Sequence, residues 1–343
     1  MAVPAMSLRG FQPLVPFQMP VPDLVRITDV SPRDGLQNES GVIATTDKAR
    51  LIDLLCAAGV DEVEVTSFVS KKWVPQLGDA TELCGLLTKP LPEGGVGVGE
   101  FLSAAPRTRS VTLSALVPNA QGLAAALALK PQVLHKLSVF TAASETFAQK
   151  NTNATIAQTL ERFVPVIAGA KQHHFSLRGY ISCVIACPFE GPIAPAAVRR
   201  VADQLWALGV DEIDLGDTIG AADETSTRAL LREFRDWPQG RSGQPGVTLH
   251  LHDTFGTAAS CVRVALELGL RSFDGSAAGL GGCPYASTPG KRAPGNISTE
   301  LLVRTIHEAG LRTTVDLDAL ETAATFARDI VAKSRAASSG ATA

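Results

Sequence analysis

Apolar runs rich in Val, Ile and Leu recur along the chain at 24–30, 62–66, 111–116, 136–140, 179–185, 212–215, 247–252 and 271–274, and each reads as a β-strand. Between them, the stretches 46–58, 120–129, 156–172, 196–208, 225–236 and 258–268 carry apolar residues at three- and four-residue spacing, as amphipathic helices do. Three of these helices run into glycine just before the next strand: Ala58-Gly59-Val60, Leu208-Gly209-Val210 and Leu268-Gly269-Leu270. Glycine there accepts the left-handed conformation that ends a helix. Eight strand-then-helix units with no polar linker between them predict a single (β/α)8 TIM barrel rather than two doubly wound domains. A further C-terminal helix is expected near 317–333.

The 343 residues would by themselves allow two domains or one large barrel. Residues 1–22 hold five prolines and one Arg without an unbroken apolar segment, so they read as a flexible leader rather than a secretory signal or an arginine-rich transit peptide. The expected organisation is therefore a leader at 1–22, one barrel domain with its C-terminal helix at 23–333, and a disordered small-residue tail at 334–343.

Charge narrows the partners. The 31 basic and 34 acidic side chains leave a net charge of −3, which gives no reason to expect nucleic acid or an anionic membrane. Every apolar run is broken before the roughly 20 residues a membrane-spanning helix needs. Six cysteines without a CxxC pair fit a reduced, cytoplasmic compartment. Cys56, Cys84 and Cys261 lie in helical patterns and read as core, whereas Cys187 is ambiguous.

Polar clusters fall after the strands, where a barrel keeps its site. In Leu249-His250-Leu251-His252 the period of two puts both imidazoles on one face, a placement that suits a divalent metal as well as a hydrogen-bonded pair. Asp34 would add a carboxylate and leave positions open for substrate. Arg33 beside it reads as a structural ion-pair partner or as a cation for a developing oxyanion. Cys283 lies in the permissive stretch Ala-Gly-Leu-Gly-Gly-Cys-Pro-Tyr, off any amphipathic face, either as a mobile thiol near the site or packed under the loop. Gly94-Gly95-Val96-Gly97-Val98-Gly99 lacks the strand, helix and acidic residue of a dinucleotide site and reads as a loop.

Pro32-Arg33-Asp34-Gly35-Leu36-Gln37-Asn38-Glu39, Glu64-Val65-Thr66-Ser67-Phe68 with Lys72-Trp73-Val74-Pro75-Gln76, Gly216-Asp217-Thr218-Ile219-Gly220, His250-Leu251-His252-Asp253-Thr254 and Gly279-Leu280-Gly281-Gly282-Cys283-Pro284-Tyr285 together resemble the 3-hydroxy-3-methylglutaryl-CoA lyases of the DRE-TIM metallolyase superfamily. The resemblance spans about 24–317. It implies a Mg2+ or Mn2+ ion on Asp34, His250, His252 and Asn296, and catalytic roles for Arg33, Glu64, Asp217, His250 and Cys283. The implied chemistry is retro-Claisen cleavage of an acyl-CoA to acetoacetate and acetyl-CoA, as in leucine degradation. Arg33 would stabilise the enolate and Cys283 would supply its proton, with His250 or the Asp34 region as base. A homodimer is implied by the resemblance alone.

Neighbouring activities fit less well. Biotin-dependent carboxyltransferases resemble one another in a carbamylated Lys just before the strand-six Asp, and that place here is Gly216. Claisen synthases keep Arg-Asp-Gly and His-x-His but usually lack the Gly-Gly-Cys-Pro-Tyr loop. Two departures bear on the substrate: Ser40 stands where the lyases usually have Lys, and the segment between Cys283 and Asn296 is longer than usual. A lyase for a related or longer-branched 3-hydroxy-3-alkyl acyl-CoA is therefore the alternative. Lys291 and Arg292 read equally as CoA-phosphate contacts or as solvated loop charges.

Overall fold

The structure, a computed structural model, describes residues 23–88, 111–282 and 295–340. The expected leader, the Gly94–Gly99 stretch, Cys283, Lys291 and Arg292 lie outside those residues.

All eight expected strands form and close into one parallel barrel. In chain order its strands are β1 (Arg26–Asp29), β2 (Glu62–Ser67), β3 (Thr112–Leu116), β4 (Lys136–Ala142), β5 (Ser176–Ser182), β8 (Glu212–Asp217), β9 (Val247–Leu251) and β10 (Ser272–Gly275), with β1 paired to both β2 and β10. The short pair β6 (Ala186–Cys187) and β7 (Gly191–Pro192) forms an antiparallel hairpin beyond β5. Around the barrel run α1 (Thr45–Ala58), α2 (Ala80–Leu86), α3 (Ala120–Leu127), α4 (Glu145–Thr152), α5 (Ile156–Gln172), α6 (Pro195–Leu208), α7 (Glu224–Arg232), α8 (Ala258–Glu267), α9 (Thr299–Glu308) and α10 (Leu317–Gly340).

Gly59 and Gly209 end α1 and α6 at φ +81° and +105°, the left-handed geometry their position predicts. Strand β5 begins at Ser176, three residues before the expected start, because Arg178 alternates with buried Leu177 and breaks the apolar run without breaking the strand.

The expected disordered tail is corrected in part. Helix α10 runs through Lys333 to Gly340, and buried Ser334 and the Arg335–Glu39 ion pair hold that extension against the barrel.

The apolar core lies between barrel and helices, where Val63, Val65, Leu177, Ile213, Leu215, Leu249 and Leu251 meet the helices' inner faces. The barrel lumen is charged instead. Lys136 Nζ lies 2.5 Å from Glu62 and 2.7 Å from Glu212, while Arg178 reaches Glu212 at 2.8 Å, Asp274 at 3.2 Å and Glu62 at 3.4 Å. These five groups and Asp214 are fully or almost fully buried, so mutual pairing is what makes the five charges tolerable.

Candidate active site

Apart from Glu64, which lies within β2, the expected site residues among the described ones come from a strand's C-terminal end or the loop after it, and most converge on one mouth of the barrel. After β1 the chain makes a single π-helical turn over Ser31–Gly35, started by Pro32, which places Arg33 and Asp34 over the lumen. The turn is held by Asp29, whose Oδ1 accepts Ser31 N–H (2.9 Å) and Oγ–H (2.5 Å), while its Oδ2 accepts Ala277 N–H (2.9 Å) and Thr299 Oγ–H (2.6 Å).

Arg33 is clamped between two carboxylates: Nε donates to Glu64 Oε2 at 2.5 Å and Nη1 to Asp34 Oδ1 at 2.8 Å. Burial disfavours its charge, yet Glu64 and Asp34 more than reverse that, so the guanidinium is held firmly protonated. Burial also pushes the Glu64 carboxyl up despite Arg33, and Glu64 Oε1 is buried without a hydrogen-bond partner among the described residues.

On β9 and one residue past its end, His250 and His252 face the lumen and Leu249 and Leu251 face the helices, as the alternation predicts. Asp34, His250 and His252 bring one ligand atom each to within 4.8 Å of one another. His252 Nε2 and Asp34 Oδ2 are 4.0 Å apart, too far for a hydrogen bond, and His252 Nδ1 is buried without a partner among the described residues. Three donor-bearing groups that converge without satisfying each other suit a shared cation. Burial, then the His250 charge, pushes His252 down to about 4, so it is a neutral imidazole at pH 7. Burial would raise Asp34, but Arg33 and the two histidines hold it well below the usual carboxylate range. Asn296, bridged to His252 in the backbone, donates Nδ2–H to Asp34 Oδ2 (2.8 Å) and to the Leu280 carbonyl (3.0 Å).

Asp217 is arranged differently. Its oxygens accept the backbone N–H groups of Ala221 (3.0 Å) and Ala222 (2.9 Å), which shapes the loop after β8, and desolvation raises it to about 6.

Sequence reasoning missed the support beneath the site. His250 Nδ1 bonds Asp274 Oδ2 at 3.2 Å, which leaves Nε2 as its free ligand nitrogen. The Tyr180 ring stands edge-on to His250 and 5.6 Å from the guanidinium carbon of Arg33. Burial and the neighbouring Asp274 push Asp214 far up, so it keeps its proton. The signal was present: Glu62-Val63-Glu64-Val65, Leu177-Arg178-Gly179-Tyr180 and Glu212-Ile213-Asp214-Leu215 alternate charge and apolar residues, and in this barrel the polar face is the inside.

Comparison with known proteins follows the same geometry. The HMGL-like family model matches residues 24–326. A 3-hydroxy-3-isohexenylglutaryl-CoA/hydroxy-methylglutaryl-CoA lyase from Pseudomonas aeruginosa is 42 % identical over 304 residues, 88 % of this chain and 91 % of its own length. The crystal structure of the HMG-CoA lyase from Brucella melitensis superposes with a TM-score of 0.77 at 41 % identity, covering 90 % of this chain and 98 % of that one. An HMG-CoA lyase from Acinetobacter baumannii, in complex with coenzyme A and 3-methylmalate, gives 0.76 at 31 % identity, covering 92 % and 93 %. The chain belongs to the HMGL-like family.

Proposed function

We propose that the protein is a divalent-metal-dependent carbon–carbon lyase that cleaves 3-hydroxy-3-methylglutaryl-CoA to acetoacetate and acetyl-CoA. The observation that carries this reading is the convergence of Asp34, His250 and His252 beside the Arg33–Glu64 pair at the barrel mouth, in a chain whose relatives bear that activity in their names.

Asp34, His250, His252 and Asn296 would hold Mg2+ or Mn2+. When bound, the ion supplies a Lewis acid that makes a tertiary alcohol far easier to deprotonate. The protein's own groups do the rest. Arg33 cannot lose its charge, so it offers a fixed cation to the oxygen on which enolate charge develops. Glu64 orients Arg33 through one oxygen and keeps the other unengaged. His250 spends Nδ1 on Asp274 and Nε2 on ligation, so it has no lone pair left for a proton. The proposed acceptor of the hydroxyl proton is then a carboxylate, and among Asp34, Glu64 and Asp217 it is Glu64 whose Oε1 has no hydrogen-bond partner among the described residues. Asp217 serves by holding the 217–222 loop. Cys283 remains the proposed donor of the enolate's proton; Asn38 Nδ2 donates to the Gly282 carbonyl at 3.2 Å, one residue before it.

The partner is an acyl-CoA, consistent with the coenzyme A complex of the Acinetobacter relative. Among the described residues no helix is long and apolar enough to cross a membrane. A cytoplasmic location and a homodimer belong to the same proposal, the dimer on the resemblance alone. A second substrate class, 3-hydroxy-3-alkylglutaryl thioesters with a longer branch, is favoured by the isohexenyl activity named for the Pseudomonas relative. The test incubates purified protein with methylglutaryl and isohexenylglutaryl thioesters, with Mg2+, with Mn2+ and with chelator. Acetoacetate is expected from the first with either ion and none after complete metal removal. No cleavage of the methylglutaryl ester with added ion rules out the lead substrate, and cleavage indifferent to metal removal rules out the chemistry.

A further inference from the structure

Above the charged layers of the lumen, two apolar side chains stand at the mouth on neighbouring strands. On β3, Leu113 and Ala115 join the core between barrel and helices, and on β4 Leu137 and Val139 do the same. Alternation turns the residues between and beyond them to the lumen: Ser114 and Leu116 on β3, and Lys136, Ser138 and Phe140 on β4. Leu116 is only 9 % exposed and Phe140 is half-buried, yet neither packs into the core. Leu116 ends β3 and pairs with Ser67 on β2 and Ser138 on β4, so no bulky register partner shields it. Phe140 pairs with Tyr180, the ring that stands edge-on to His250 and 5.6 Å from the guanidinium carbon of Arg33.

In strand order β3 lies four strands from β9 whichever way round the barrel is counted. Leu116 therefore faces, across the mouth, the strand that brings His250 and His252, with Phe140 beside it. Gly216 on β8 pairs with His250, and a methyl added there would meet only the Ile181 carbonyl and Ser182 Cα within 4 Å among the described residues, so no side chain crowds the lumen next to that ligand. Carbon 3 of a 3-hydroxy-3-alkylglutaryl thioester carries a hydroxyl, a carboxylate arm, a thioester arm and an alkyl branch. The first three are polar, and the branch alone gains by leaving water for apolar surface. We infer that Leu116 and Phe140 form the surface that receives this branch, and that side-chain volume at the two positions sets the longest branch the protein cleaves. They are specificity residues, and they take no part in moving protons.

The inference rests on the lyase reading and deepens it, so the experiment separates the two. Full-length wild type, Leu116→Ala, Leu116→Trp and Phe140→Ala are compared at saturating Mn2+ for kcat/KM on the CoA thioesters of 3-hydroxy-3-methylglutarate, 3-hydroxy-3-butylglutarate and 3-hydroxy-3-isohexenylglutarate. One methylene in an apolar pocket discriminates by roughly 10–200-fold. Leu116→Ala and Phe140→Ala are expected to raise the isohexenyl-to-methyl ratio of kcat/KM by about 10-fold or more, and Leu116→Trp to lower it by as much, with the butyl ester between. A ratio taken within one preparation cancels any loss of folded protein or bound ion, and Phe140→Ala, at a half-buried position, decides the matter should the Leu116 variants not fold. Ratios within about 2-fold of wild type in the folded variants, or a shift in the opposite sense, overturn the inference while the lyase reading stands. A wild type that cleaves none of the three esters overturns the lyase reading and the inference with it.

Discussion

Arg33 and Lys136 are both buried cations paired to carboxylates, yet the structure gives them different work. Arg33 stands at the mouth with Asp34 and Glu64, so Arg33→Lys, which keeps the charge but loses the forked geometry, is expected to lower kcat by roughly 10²–10³-fold. Near-normal turnover would remove it from the chemistry. Lys136 sits in the lumen between Glu62 and Glu212, fully buried. Lys136→Met strips both carboxylates of a partner and is expected to cost on the order of 3–5 kcal/mol in denaturant unfolding. Asp214→Asn, by contrast, replaces a group that already keeps its proton and is expected to cost under about 1 kcal/mol. For Asp217 the sign is fixed by its raised value of about 6 against an ordinary value near 3.8. The folded state holds that proton more tightly than the unfolded one, so its stabilisation is complete below about 3.8 and is lost as pH rises through 6. Unfolding of wild type minus Asp217→Asn, measured from pH 4 to 7, is therefore expected to fall by on the order of 3 kcal/mol. A flat difference counts against it.

At the scale of elements, period and punctuation carried most of the reading. Alternation on β9 put His250 and His252 on one face and the leucines on the other, and the glycines after α1 and α6 marked where each helix stops. Short elements escaped because they lack a period long enough to see: α2 and α4 have seven and eight residues, and the β6–β7 hairpin has two residues per strand. Helix α9 escaped for another reason. It follows Asn296 directly, in a stretch legible as site loop, although Ser298 accepts Leu301 N–H as its N-cap. The end of α10 was misread as tail because Ala and Ser dominate it, and its anchors, Ser334 and Arg335, have partners at Gly41 and Glu39 that no local window reaches. Gly41→Ala tests that contact: the added methyl is expected to push α10 outward and lower the thermal midpoint by several degrees. An unchanged midpoint would mean the helix end carries no packing load.

For the whole molecule, the resemblance located the site because its motifs are contiguous in sequence at five strand ends, whereas the lumen network is assembled from one or two residues per strand between Glu62 and Asp274 and leaves no motif. The site and its foundation are nevertheless one body, since His250 is tied to Asp274 and Asp274 to Arg178. Ion binding is accordingly expected to stabilise the entire barrel. At 100 times its dissociation constant, Mn2+ should add about 2.7 kcal/mol to unfolding, reversibly with chelator and not in His252→Ala.

The charged lumen sets the field in which the site holds a cation. Glu62, Glu212 and Asp274 face Lys136 and Arg178, Asp274 also meets His250, Glu64 pairs with Arg33, and Asp34 stands at the mouth. Carboxylates therefore outnumber the Lys and Arg side chains of lumen and mouth, an excess that favours a cation at the mouth and is expected to favour a dication over a monovalent ion. The strands beneath the mouth thus contribute to cation preference, and Asp274→Asn is expected to weaken dication binding without removing any of the four proposed ligands.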